Sequence, residues 1–195
     1  MKKSTLGIGI AVLAVILLFY GCSKIDIEDT AQVSAPEPQS FVYTDTAQTF
    51  HIKGLPPKDW EAQPPANDQS PFIFTAPKNN GGTFKDNINI IRFAYEFPGE
   101  KDMTIDDYVV SATDGMETRK DFKLISQTKR DIAGYPAIVT TFQTTEYNNG
   151  TLLQFSQAIF KTEDEAYFIT FSATPEGATT NEQVYTAFLD SLVIE

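Results

Sequence analysis

Four extended segments, residues 122–129, 137–147, 152–161 and 167–173, follow one another with only short connections between them. That run constrains the fold more than any other feature of the chain. Parallel neighbours need a crossover of a dozen or more residues, whereas antiparallel ones need only a turn. Asn148-Asn149-Gly150 and Thr162-Glu163-Asp164-Glu165 are such turns, so this part of the sheet is expected to be antiparallel. In the last segment Tyr167, Ile169, Phe171 and Ala173 share one parity, which gives that strand an apolar face.

Further strands are expected at 49–52, 72–75 and 87–97, the last with a change of parity. Ile88 and Ile90 are apolar on even positions, and Ile91, Phe93, Tyr95 and Phe97 are apolar on odd ones. A one-residue slip exchanges the faces of a strand, so the pattern points to a sheet covered on both faces with a bulge near Ile90-Ile91. Thr104-Ile105-Asp106-Asp107 opens a helix with Thr104 as N-cap and acids in the first turn. Its apolar stripe is Ile105, Tyr108, Val109, Ala112 and Met116. Thr174-Pro175-Glu176-Gly177 reads as a break before a final helix over 180–192, with Val184, Tyr185, Phe188, Leu189 and Leu192 toward the core. The class is α+β: a central, mainly antiparallel sheet of about six strands flanked by helices, the C-terminal helix packed on the sheet.

The first 22 residues carry a different signal. Lys2 and Lys3 precede an apolar run from Leu6 to Tyr20 that ends at Gly21-Cys22. A basic start, a short apolar run and a small residue at the cut make an export signal. Cys22 is the single cysteine of the chain, and it is expected to be acylated. Phe19 and Tyr20 stand where such signals carry an aliphatic and a small residue, so an uncleaved helical anchor and simple secretion are kept as alternatives. All three leave the lysines inside and the acidic remainder outside. Two or more acyl chains would hold the protein on the cell membrane or outer membrane, each buried CH₂ contributing about 0.8 kcal/mol. Residues 23–40, polar and acidic with Pro36 and Pro38, read as a tether, and 41–195 as one domain.

After removal of residues 1–21 the chain keeps 26 acidic and 13 basic residues, a formal charge of −13. That opposes binding to nucleic acid, whose phosphates are met by Lys and Arg, and adsorption on anionic lipid. A solvated acidic surface accounts for it, and a basic partner is the sharper alternative.

Catalytic constellations are sparse. His51 is the one histidine, which leaves no histidine cage for a metal, and a Ser-His-Asp hydrolase would have to use it without a Gly-x-Ser-x-Gly elbow. Asp106-Asp107 belongs to a helix start and Glu163-Asp164-Glu165 to a turn, neither with calcium-loop spacing. No catalytic residue, metal or cofactor is expected. Trp60, set among prolines, reads as a core cap or a recognition loop. Tyr95 and Tyr147, with Tyr43, could join it in an aromatic docking patch.

Several short strings, in this order and spacing, resemble the PsbP-like superfamily, which includes the lumenal extrinsic subunit of photosystem II and prokaryotic lipoproteins. They are Asn87-Ile88-Asn89-Ile90-Ile91, Thr104-Ile105-Asp106-Asp107-Tyr108, Gly134-Tyr135-Pro136-Ala137, Phe171-Ser172-Ala173-Thr174-Pro175-Glu176 and Phe188-Leu189-Asp190-Ser191-Leu192. The resemblance implies an α-β-α sandwich and a non-catalytic role binding or assembling a membrane protein complex. It assigns no functional residue. The alternative expectation is a lipoprotein that binds a small ligand or ion in a cleft between the sheet and the terminal helix.

Overall fold

Alternating apolar residues build a seven-stranded, wholly antiparallel sheet in the computed structural model of the chain. The structure describes residues 39–42, 49–65, 71–77 and 84–194, all within the unit Pro36–Glu195. Cys22 and the turn at 79–82 lie outside the described residues. Strands β1 (Gln39–Val42) and β2 (Thr49–Gly54) pair with the C-terminal β10 (Val193–Ile194) in a small three-stranded sheet. The main sheet contains β3 (Glu61–Gln63), β4 (Phe72–Thr75), β5 (Asn87–Ala94), β6 (Lys123–Ile132), β7 (Tyr135–Thr144), β8 (Leu153–Lys161) and β9 (Glu165–Ala173). Its order is β3-β4-β5-β9-β8-β7-β6. The hairpins expected from the two turns join β7 to β8 and β8 to β9.

One face packs on helix α2 (Pro175–Asp190). Phe74, Ile88, Ile90, Phe160, Ile169 and Phe171 meet Tyr185, Phe188 and Leu189 there, all buried. Each such side chain contributes roughly 1.5–3 kcal/mol when fully buried. Thr174 caps α2 by accepting from Gly177 N–H at 3.1 Å, and Pro175 fills the first helical position. The expected break at Thr174-Pro175-Glu176-Gly177 is therefore the helix start, because Pro at the first position loses no intrahelical bond.

The opposite face packs on α1 (Ile105–Ala112), which carries the expected Thr104 cap. Tyr108 and Val109 sit on Ile138, Ile159 and Ala166. α1 has eight residues, so Met116 falls in a separate short helical turn (Met116–Thr118) and not on α1. Beyond α1 comes a polar band, where Gln127 donates to Thr140 and Gln157 to Thr170, at 3.1 and 3.0 Å, and beyond it a second aromatic group in which Phe142 stacks on Phe155.

This division explains the parity change without a bulge. β5 pairs with β9 in unbroken register from Asn87↔Ser172 to Ala94↔Glu165. Its odd positions are polar at Asn87 and Asn89, and they turn apolar at Ile91 and Phe93, opposite Phe168 and Ala166 of the α1 side. The register shift among the strands of this sheet lies instead in β6, between Leu124 and Ser126. A second difference is β3, a three-residue edge strand directly after Trp60, where the prolines suggested a loop. Pro64 and Pro65 follow the strand and sit outside the ladder, where their missing N–H costs nothing.

Candidate functional site

α1 is too short to cover its side of the sheet as far as the end of β5. Phe93 leans edge-on against Phe168, ring centroids 4.9 Å apart, and is still 45% exposed. Phe97, in the loop that follows, is 72% exposed and Met103 41%. Between them runs a largely apolar groove of about 350 Å³, lined by Phe93, Phe97, Tyr108, Ala112 and Phe168 together with Glu96 and Glu100. A smaller hollow of about 160 Å³ shares Phe97, Tyr108 and Ala112 and continues toward Met103. Isolated exposed apolar residues are ordinary on protein surfaces, while a grouped set around a concavity marks a contact site.

The segment that carries Phe97 is held firmly. Lys161 of β8 directs its ammonium at three backbone carbonyls, those of Glu100 (2.8 Å), Lys101 (3.1 Å) and Met103 (2.7 Å). An ammonium has three N–H donors, and all three are used. It also lies 5.3 Å from the Tyr95 ring and 5.0 Å from the Tyr108 ring, within cation–π range. Burial lowers the pKa of Lys161. The Tyr95 hydroxyl donates to the carbonyls of Thr162 (2.8 Å) and Glu165 (3.0 Å). Burial, with a smaller push from neighbouring groups, moves both the Tyr95 and Tyr108 hydroxyls up to about 12. The Glu100 carboxylate accepts from the N–H groups of Glu96 (3.0 Å) and Phe97 (3.2 Å). Phe97 is thus presented on an ordered loop.

Next to this loop a buried carboxylate ties three strands together. Glu165, 4% exposed, binds Arg92 of β5 at 3.0 Å, His51 Nδ1 of β2 at 3.2 Å and the Tyr167 hydroxyl. A guanidinium, an imidazole and a phenol thus surround this buried carboxylate, which suits a structural role. The Tyr167 hydroxyl is pushed far above the ordinary tyrosine range, first by burial and then by its bond to Glu165. His51, the lone histidine, has an exposed side chain. Among the described residues no cluster of three or more His, Cys, Asp or Glu is arranged to hold a metal ion.

The aromatic residues singled out from the sequence do not form one patch. Trp60 is half-buried on the α2 side, its ring 6.5 Å from Phe171. Tyr95 is engaged by Thr162 and Glu165 at one end of β8. Tyr147 lies beside the turn at the other end, edge-on to Phe155 and under the Arg119 guanidinium. Tyr43 and Cys22 lie outside the described residues. Sequence reading missed Phe97 as an exposed residue because it carried the strand through position 97, three residues past the end of β5; Phe93 is in β5 as expected, and its exposure follows from the short reach of α1. The signal was present in Pro98-Gly99, which ends extended structure ahead of the acidic loop.

No family model matches the chain, and no curated protein matches it. Solved structures do. PA94 from Pseudomonas aeruginosa superimposes with a TM-score of 0.58 at 20% identity, over 82% of this chain and 99% of that one. LpqN of Mycobacterium tuberculosis, involved in cell envelope biogenesis, gives 0.58 at 12% identity over 81% and 90%. Cyanobacterial PsbP from Synechocystis gives 0.53 at 14% identity over 87% and 99%. The chain therefore has the PsbP-like fold that its short strings suggested.

Proposed function

We propose that this chain is a non-catalytic, extracytoplasmic lipoprotein, held on the membrane through Cys22, whose domain docks on a membrane protein complex or helps assemble it. The observation that carries this reading is the groove between Phe93 and Phe97. It is largely apolar and concave, and Lys161 fixes its loop. The residues with the most chemical potential, Glu165, Arg92 and Lys161, spend it on holding strands and a loop. The N-terminal signal supplies the location, and the role of LpqN in envelope biogenesis is in keeping with it.

The test compares the full chain with its Phe93→Ser/Phe97→Ser variant as baits in a crosslinked pull-down from membranes of the producing organism. The same membrane protein recovered in near-stoichiometric amount with the first and lost with the second supports docking through this face. Equal recovery with both, or scattered background with both, contradicts it. Cys22→Ser releasing the chain from the membrane fraction supports acylation, and full retention points to the uncleaved anchor.

A second reading, binding of a small ligand, has one observation in its favour. A cleft of about 590 Å³ opens beside the β8–β9 turn, lined by Lys101, Ile105, Tyr135, Lys161, Thr162 and Glu163. The hollow between sheet and α2, where a ligand was expected, is smaller at about 230 Å³. A ligand in the larger cleft would raise the melting temperature by mass action, and Tyr135→Ala would remove that rise.

A further inference from the structure

We infer that the groove takes a basic apolar segment of the partner protein, one or two large apolar side chains seated against Phe168 and Tyr108 and flanked by Lys or Arg. This rests on the docking reading above and adds the chemistry of the partner. The floor of the groove sets the apolar part, since Phe93, Phe168 and Tyr108 offer ring edges and faces with no exposed donor between them.

The surroundings set the charge. Residues 93–118, which form the end of β5, the loop, α1 and the turn after it, contain seven acids against Lys101; counting also Lys129, paired with Asp106 at 2.6 Å, and Lys161, bound to the loop carbonyls, seven acids face three cations, a net −4. Glu96, which is exposed, and Glu100 line the groove itself. Opposite potentials across an interface select partners and speed their encounter, and like charges exclude wrong ones.

The same charge removes the other occupants. A second copy would bring the same acidic segment against itself. The tether at 23–40 carries Asp26, Glu28, Asp29 and Glu37 against Lys24 alone. An anionic lipid surface repels the face as well. Because Lys161 and Glu100 already order the loop, binding there avoids much of the cost of immobilising it.

The test titrates the full chain, held in phosphatidylcholine nanodiscs, with three labelled peptides of equal length. One has Leu and Phe anchors flanked by Lys and Arg. The second has the same anchors flanked by Glu, and the third keeps the basic residues with Ser in place of the anchors. The basic apolar peptide is expected to bind about tenfold or more tighter than either control. Its affinity should fall severalfold between roughly 0.05 and 0.3 M salt as screening grows. Phe93→Ser/Phe97→Ser should abolish binding, and Glu96→Lys should weaken it about tenfold with an unchanged melting temperature.

Binding of the Glu-flanked peptide as tight as that of the basic one overturns the proposal. So does basic-peptide affinity untouched by the Phe93/Phe97 variant, and so does an environment-sensitive probe at position 97 that reports immersion in nanodisc lipid. If the peptides behave in any of these ways while the pull-down still depends on Phe93 and Phe97, docking stands and the basic chemistry falls. If that dependence is missing too, both fall.

Discussion

The ammonium of Lys161 stands 5.0 Å from the centre of the Tyr108 ring, at the point where β8, α1 and the loop before α1 meet. One lysine thereby closes three backbone carbonyls and faces two phenol rings, and the loop bearing Phe97 takes its shape from it. Lys161→Met keeps most of the aliphatic stem and removes the donors. Hydrogen bonds to charged groups contribute about 1.5–3 kcal/mol. The variant is expected to lose about 2 kcal/mol of unfolding free energy, because water can reach part of the exposed loop. Amide exchange over residues 96–103 should quicken more than elsewhere. A loss of stability with unchanged exchange there would count against the loop-holding role.

The two rings add a dependence on pH. Tyr95 and Tyr108 have hydroxyls raised to about 12 from 10.0 in the unfolded chain. A raised pKa means that the fold favours the protonated form, so this contribution is complete below pH 10 and is lost between pH 10 and about 12. The lowered pKa of Lys161 works in the opposite direction, adding stability as pH rises toward its ordinary value of 10.5, and it is one group against two. The melting temperature should fall across this window. Ionisation followed by ultraviolet absorbance should show a late-titrating set of tyrosines, and a single transition near 10 for all of them would contradict the packing described.

Glu165 is expected to be the most costly carboxylate to remove. Glu165→Ala leaves the Arg92 guanidinium, whose side chain is 22% exposed, without this partner. Breaking a buried pair in this way costs about 3 kcal/mol or more. His51→Ala should cost far less, since the imidazole is 61% exposed; surface substitutions stay within about 0.5 kcal/mol. Chemical denaturation of both variants checks the ranking, and an equal loss from each would make the histidine a structural partner of full weight.

Gly177 is required by its neighbour. A Cβ there would fall 2.2–2.6 Å from the carboxylate of Asp86, which is 1% exposed and accepts from Asn181 at 2.8 Å. Gly177→Ala should destabilise the domain by about 1–3 kcal/mol through overpacking. In a double-mutant cycle Asp86→Ala should recover part of the loss. Additive effects would show that the first turn of α2 shifts to make room.

Trp60 packs on the core at the α2 side, away from the groove proposed for docking. Trp60→Ala is expected to lower stability by about 2 kcal/mol, below the 3–5 kcal/mol of a fully buried aromatic, and to leave recovery of the partner in the pull-down unchanged. Loss of the partner without loss of stability would return Trp60 to the recognition role that its prolines suggested.

Strand segments with short turns were legible because the 2-residue period and turn chemistry act locally, as at Asn148-Asn149-Gly150. The Thr104 cap was legible for the same reason. Long-range facts were not. Asn89 and Ile91 point the same way on β5, yet Asn89 pairs with Thr170 and Ile91 with Phe168, which packs in the cluster under α1. That difference depends on where an eight-residue helix lands, and the strand itself holds no record of it. The start of α2 was misread because Thr-Pro-Glu-Gly suits a turn and a helix N-terminus equally well. Lys161 gave no signal at all: its three carbonyls lie about sixty residues away in sequence.

The most direct test of the docking account is a photocrosslinking residue placed at Phe97 of the full chain in native membranes, with the same residue at Tyr147 as the comparison. The account predicts one protein adduct at position 97, absent at 147 and lost when Phe93→Ser is added. Adducts at 147 but none at 97, or only lipid adducts at 97, would contradict it.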